Sequence, residues 1–244
     1  GGLTGPDDVA KLDKLVKLAH AKGVKVAIAI GGWNDGNDSG FEQLSANAGA
    51  RSAFVSKVKS FVTAHDLDGV DIDWEYPDPG ASSQHYAALM KELSTELHGM
   101  GKLLSTAVVG EGGTGEGVPK EVFGYIDALN IMAYDGSTSE GHSPYAYAST
   151  CLSYWLGRGV PKQKAILGVP FYGRDPYVSY ADLVKKDPSA PSKDQVGNVH
   201  YNGIDTMKKK TALAAKSGGG IMIWELSQDT TGDTSLLSAI HAAA

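Results

Sequence analysis

The stretch Leu67-Asp68-Gly69-Val70-Asp71-Ile72-Asp73-Trp74-Glu75-Tyr76-Pro77 sets four carboxylates within eight residues of an otherwise apolar, β-rich run. Strand side chains alternate between faces, so Asp71, Asp73 and Glu75 point one way while Val70, Ile72 and Trp74 point the other. The apolar set reads as the face packed on helices. The acidic set then lines an interior, with Glu75 nearest the C-terminal end. Like charges about 6.5–7 Å apart along a strand in a poorly solvated interior cannot all ionise cheaply, so at least one of these carboxyls is expected to titrate high. A carboxyl of that kind is a general acid at neutral pH. A solvated acidic face would leave Val70, Ile72 and Trp74 needing cover elsewhere. A strand also presents its oxygens in a row, whereas a cation-binding loop wraps them around the ion. Asp68 is out of phase with the inward set and reads as structural.

Six β-rich runs stand out along the chain, at 24–30, 69–73, 103–109, 126–133, 165–171 and 220–224. Between them, 7–21 has apolar residues at Val9, Leu12, Leu15, Val16 and Ala19, and 50–65 at Ala53, Phe54, Val58 and Phe61, the spacing of amphipathic helices. Segments 82–100, 149–157 and 205–216 read the same way. Repeated strand and helix, with near-continuous Val/Ile/Leu strands, predicts an α/β fold with a parallel sheet covered by helices. The strand ends choose between an open sheet and a closed barrel. Gly31-Gly32-Trp33, Asp73-Trp74-Glu75, Tyr134-Asp135, Tyr172-Gly173-Arg174 and Trp224-Glu225 all follow strands, and a TIM (β/α)8-type barrel gathers such ends at one mouth. No Pro/Ser-rich linker divides the chain, so 1–244 reads as one domain.

Composition narrows the partners. The chain has 244 residues, 42% of them apolar and 8% aromatic, enough for a full core. Its net charge of −6, from 22 Lys+Arg against 28 Asp+Glu, repels phosphate backbones and anionic membranes. No apolar run approaches the roughly 20 residues that span a bilayer. The start, Gly1-Gly2-Leu3-Thr4-Gly5, carries neither an initiator Met nor a signal-peptide core, so the chain reads as processed or excised. A single cysteine, Cys151, rules out an internal disulfide and reads as a small buried hydrophobe.

Asp68-Gly69-x-Asp71-x-Asp73-x-Glu75 resembles the DGxDxDxE signature of family 18 glycoside hydrolases, the chitinases and their relatives. Ala29-Ile30-Gly31-Gly32-Trp33 resembles the SxGGW end of that family's third barrel strand, and Met132-Ala133-Tyr134-Asp135 the MxYD end of the sixth. Gly168-Val169-Pro170-Phe171-Tyr172-Gly173-Arg174 and Gly220-Ile221-Met222-Ile223-Trp224-Glu225 are similar to the seventh and eighth. The resemblance runs from about Asp7 to the C-terminus, and Trp74-Glu75-Tyr76-Pro77 is closer to chitinases than to the endo-N-acetylglucosaminidases of the family.

The resemblance implies retaining hydrolysis of β-1,4-linked N-acetylglucosamine polymers, outside the cell and without a cofactor or metal. In this family the substrate's own acetamido oxygen is the nucleophile, an exception to the two-carboxylate scheme. Glu75 is then the acid that protonates the glycosidic oxygen and the base that activates water. Asp73 orients the acetamido N–H, Asp71 shares a proton with Asp73, and Tyr134 donates its hydroxyl to the acetamido oxygen. Met132, Asp135 and Gly32 line the subsite, Trp224 forms the apolar floor, and Trp33 and Tyr172 offer stacking faces. Two other readings are an endo-β-N-acetylglucosaminidase acting on N-glycans and a non-hydrolytic chitinase-like lectin. Lectins of this kind typically lose the acid, and Glu75 is present.

The chain departs from the family pattern in having Ala29 where Ser is usual. The strand count predicts that the family's first two barrel strands are lacking in this chain, and the segment 175–219 is too short for the extra insertion domain of many relatives. A shallow, endo-acting groove follows.

Gly110-Glu111-Gly112-Gly113-Thr114-Gly115 fits G-x-G-x-x-G. Acidic residues and the lack of room for a helix argue against a dinucleotide site, leaving a flexible loop. The seven histidines show no paired ligand spacing. Lys208-Lys209-Lys210 reads as a solvated helix face.

Overall fold

The computed structural model describes residues 5, 6 and 8–244. Residues 1–4, and position 7 where the sequence starts its first helix, lie outside them. The chain divides into two compact units. The first comprises the described residues up to Val108 together with Gly113–Leu129, and the second comprises Val109–Gly112 and Asn130–Ala244.

In the first unit α1 (Val9–His20) is followed by β1 (Ala27–Gly31), α2 (Ser39–Ser45), α3 (Ala48–Ala64), β2 (Gly69–Asp73), α4 (Ala81–Gly99) and all but the last residue of β3 (Leu103–Val109). Asp8 caps α1 by accepting from the Lys11 amide at 2.9 Å, and Asn47 caps α3 through Ala50 at 2.9 Å. β1 pairs in parallel with β2, and β2 with β3, in a register that sets Gly31 beside Asp73 and Ser105 beside Asp71. Val70, Ile72 and Trp74 are at most 1% exposed, while Asp71, Asp73 and Glu75 are half-buried, so the two faces of β2 divide as the alternation requires. Trp74 stacks on Phe41 and meets the edge of Tyr86 from α4. Burying these rings and the α4 residues Leu89, Met90 and Leu93 supplies about 1.5–3 kcal/mol each.

The glycine-rich segment is less open than a loop. Gly113–Gly117 forms a 3₁₀ turn with Gly115 and Gly117 buried. A Cβ at Gly117 would collide with the Pro77 carbonyl, so close backbone packing explains that glycine.

The second unit takes in most of β4 (Ala128–Met132), then α5 (Tyr145–Gly157), β5 (Ala165–Pro170), β6 (Tyr172–Gly173), β7 (Val178–Ser179), α6 (Tyr180–Lys186), β8 (Gln195–Val196), β9 (Val199–His200), α7 (Ile204–Ser217), β10 (Gly220–Trp224) and α8 (Leu236–Ala243). β10 pairs in parallel with β5, whereas β6–β7 and β8–β9 are two-residue antiparallel ribbons. The segment 175–219, expected to lack an insertion domain, holds β7, α6, the β8–β9 ribbon and α7, and no large insertion. Its core gathers Val169, Phe171, Tyr180, Leu183, Tyr201, Met207 and Leu236. Cys151 is fully buried in α5.

One sequence expectation is overturned on α7. Lys208 and Lys209 are exposed, but Lys210 is 0% exposed. It shares the inward face with Met207, Thr211 and Ala214, at helical spacing, so face membership overrides the local charge run.

Candidate active site

In the first unit the acidic face of β2 is shaped by its two neighbouring strands. Gly31 has φ 120° and Gly32 φ 105°, conformations that favour glycine. A Cβ at Gly31 would land on the Asp73 carbonyl oxygen, and the Gly32 N–H donates to that same oxygen at 2.8 Å. From the other side Ser105 Oγ donates to Asp71 Oδ1 at 2.5 Å. Asp73 Oδ1 is buried and accepts no hydrogen bond from the described residues. Burial first, then the charges of Glu75 and Asp71, push the Asp73 carboxyl up to about 7. The carboxyl expected to titrate high is therefore found at Asp73, which can hold or release a proton near neutrality. Glu75 follows the strand, half-buried, and the Glu75–Tyr76 peptide bond is cis.

Asp68 does what its phase suggested. Its Oδ2 accepts from His20 Nε2 at 2.8 Å and from the Val26 amide at 2.7 Å. Burial alone would raise its pKa, but these hydrogen bonds and the His20 charge hold it below the usual carboxylate value. Trp33, beyond β1, is 58% exposed and leaves a ring face open.

In the second unit, Met132 is half-buried at the end of β4, and Tyr134 follows at 9% exposed. The Tyr134 hydroxyl lies 3.7 Å from Met222 Sδ, and its ring meets Tyr172 edge-on at 6.3 Å. Asp135 (φ 57°) is gripped from three directions. Arg174 binds both its oxygens, with Nε donating to Oδ1 and a terminal nitrogen to Oδ2, each at 2.7 Å. Tyr172 donates its hydroxyl at 2.8 Å. His142 Nδ1 sits 3.2 Å from the Asp135 amide and 3.3 Å from Oδ1, while its Nε2 faces the Tyr172 carbonyl at 3.3 Å. The tautomer protonated on Nε2 accepts the amide and donates to that carbonyl. Burial would raise the Asp135 pKa, but the hydrogen bonds from Arg174 and Tyr172 and the Arg174 charge hold it well below the usual range.

Trp224 is 50% exposed at the end of β10. Tyr172 is different. It is 1% exposed, its hydroxyl is committed to Asp135 and its ring stacks on Tyr177 at 4.7 Å, so the exposed ring there is that of Tyr177. Tyr177, Ser105 and His142 are not among the candidate site residues that the sequence offers. Only Ser105 left a usable signal, because it sits opposite Asp71 once β2 and β3 are aligned in parallel.

The Glycosyl hydrolases family 18 profile matches residues 4–229. The chain belongs to glycosyl hydrolases family 18. It is 35% identical to "Probable chitinase 2" of Drosophila melanogaster over 65% of this chain and 36% of that protein. The crystal structure of the GH18 chitinase ChiB from the chitin utilization locus of Flavobacterium johnsoniae matches with TM-score 0.89 at 30% identity, over 99% of this chain and 81% of that one. The chitinase-like agglutinin RobpsCRA from Robinia pseudoacacia matches with TM-score 0.86 at 23% identity, over 98% of this chain and 87% of that one, a likeness of fold alone. The chain spans 13–66% of the length of the curated relatives it matches. Its parallel strands and covering helices resemble the TIM-type α/β barrel of family 18 chitinases, and among the described residues there is no large insertion domain. Among the described residues no helix is long and apolar enough to cross a membrane.

Proposed function

We propose that this family 18 chain hydrolyses β-1,4-linked N-acetylglucosamine polymers by endo cleavage with retention, using the substrate's acetamide as nucleophile. The observation that carries the reading is the acidic face of β2, with Asp71, Asp73 and Glu75 in a row and Asp73 raised to about 7. Glu75 protonates the glycosidic oxygen and then activates water. Asp73, able to take a proton near neutrality, receives the acetamido N–H and stabilises the positive oxazolinium intermediate, while Asp71, held by Ser105, shares a proton with it. Tyr134 donates to the acetamido oxygen, aligning it for attack. Trp33 and Trp224 offer exposed rings to the C–H faces of sugars. An insoluble polymer is met outside the cell, so the reading carries an extracellular location.

The relatives named as chitinases support this substrate. The fold does not decide turnover, since an agglutinin shares it. Glu75 supports turnover over mere binding. The test is a product time course on N-acetylglucosamine hexamer and on its de-N-acetylated counterpart, with anomers resolved by NMR. Cleavage of the acetylated chain alone, giving the β-anomer first, is expected. Cleavage of both would indicate an enzyme nucleophile and overturn the assisted mechanism, and cleavage of neither would overturn the hydrolase reading. Early release of dimers alone would overturn the endo mode.

A further inference from the structure

Lys210 is fully buried on α7 and makes no ion pair among the described residues. Its Nζ donates instead to Ser143 Oγ at 2.7 Å, to Ser143 O at 2.7 Å and to Asn202 Oδ1 at 2.6 Å. Three ammonium donors meet three acceptors. Burial pushes the lysine pKa down to about 7, opposed by the charge of Asp194. A buried charge is costly, and an apolar side chain of similar length would fill the same space without it.

What the ammonium holds is Ser143. With Lys210 occupying a lone pair on Oγ, the single hydroxyl proton of Ser143 is directed to the Ala133 carbonyl at 2.6 Å. The preceding residue, His142, accepts the Asp135 amide on Nδ1, and its carbonyl accepts the Gly136 amide at 2.9 Å. His142 and Ser143 thereby grip the chain at 133, 135 and 136, on both sides of Tyr134 and Asp135. Asn202 reinforces the clamp by donating Nδ2 to Ser143 O at 2.9 Å.

We propose that Lys210 is a positioning residue that, through Ser143, fixes the 133–136 backbone and so aims the Tyr134 hydroxyl and the Asp135 carboxylate. The positional claim stands on the hydrogen bonds; its effect on turnover rests on the function proposed above.

The test compares the wild type with Lys210→Met, Ser143→Ala and the double variant. Two readouts are used: amide hydrogen exchange at Asp135 and Gly136, and steady-state kinetics on N-acetylglucosamine hexamer. In folded Lys210→Met, exchange at Asp135 and Gly136 should rise about 10-fold or more, with the amides of α6 unchanged. kcat should fall on the order of 100-fold with KM nearly constant, as expected of a misplaced group. Ser143→Ala should reproduce most of both effects, and the double variant should add little. Lys210→Gln, which keeps donors at a similar reach, should recover part of the loss. Unchanged exchange at Asp135 and Gly136 in either folded single variant would overturn the proposal, as would additive losses in the double. If Lys210→Met does not fold, Ser143→Ala decides by the same readouts. If the wild type does not cleave the hexamer, the functional reading fails while the exchange result still decides the positioning.

Discussion

The indole Nε1 of Trp74 donates to Asp38 Oδ2 at 2.8 Å, pinning from the far face of β2 the residue that lies between Asp73 and Glu75. Because strand neighbours point to opposite faces, fixing Trp74 also fixes the backbone from which both carboxylates project. Trp74→Phe removes this donor and shrinks a ring held against Phe41 and Tyr86. We expect a loss of about 1–3 kcal/mol, or roughly 3–10 °C in Tm. kcat should fall while KM stays close to wild type. Asp38→Ala, at a more exposed position, should cost about 1 kcal/mol. Thermal melts and hexamer kinetics on both variants check this, and a Trp74→Phe protein with wild-type Tm would refute it.

Glu75→Gln keeps the shape of the side chain and removes its proton chemistry. Loss of general acid–base catalysis should cut kcat by at least about 100-fold. Hexamer affinity measured by calorimetry should stay within a few-fold of wild type. Substantial residual turnover would remove Glu75 from the acid role.

The alternation of β2 was readable because acid and apolar residues there obey a period of two, and the run 69–73 coincides with the strand observed. The neighbouring β1 was placed less well, at Ala27–Gly31 against a reading of 24–30, because Val24 is apolar yet 55% exposed. The ribbons β6–β7 and β8–β9 have two residues per strand, too few to show any period. α6 and α8 are 7 and 8 residues long, held by caps at Ser179 and Ser235 more than by an extended apolar stripe. At the site, residue types were legible but commitments were not. Tyr172 looked available in sequence, and only packing reveals that its hydroxyl belongs to Asp135 and its ring to Tyr177. Lys210 was hidden by Lys208 and Lys209, although Met207, Thr211 and Ala214 mark its face as inward.

Trp33 and Trp224 are 58% and 50% exposed, so little of the fold depends on their rings. If each covers a sugar face, Trp→Ala should lose about 1 kcal/mol of binding, from roughly 40 Å² of apolar contact at about 25 cal/mol/Å². KM for the hexamer should rise about 5-fold per variant. Tm should move by little more than a degree, in contrast to Tyr172→Ala, which opens a cavity and leaves the Asp135 network incomplete. Unchanged KM in both tryptophan variants would remove them as sugar platforms.

Asp73→Asn separates the residue's role in turnover from its cost to the fold. The carboxyl titrates near 3.8 when unfolded and about 7 when folded. Between those values the native state keeps a proton that the unfolded chain has released, so wild-type stability falls as pH rises through the window and levels off above it. Asparagine has no such proton and also relieves the repulsion felt by Asp71 and Glu75. The wild-type penalty at pH 8 has a ceiling of about 4 kcal/mol, reduced because water still reaches the half-buried group. Asp73→Asn should therefore be more stable than wild type at pH 8 by about 1–3 kcal/mol, with the advantage gone at pH 4. kcat should meanwhile fall at least about 100-fold, since the acetamide loses the group that orients it and offsets its positive charge. Paired melts at the two pH values and hexamer kinetics decide the matter. A stability difference independent of pH would refute the raised carboxyl, and near-normal turnover would refute its part in the assisted mechanism.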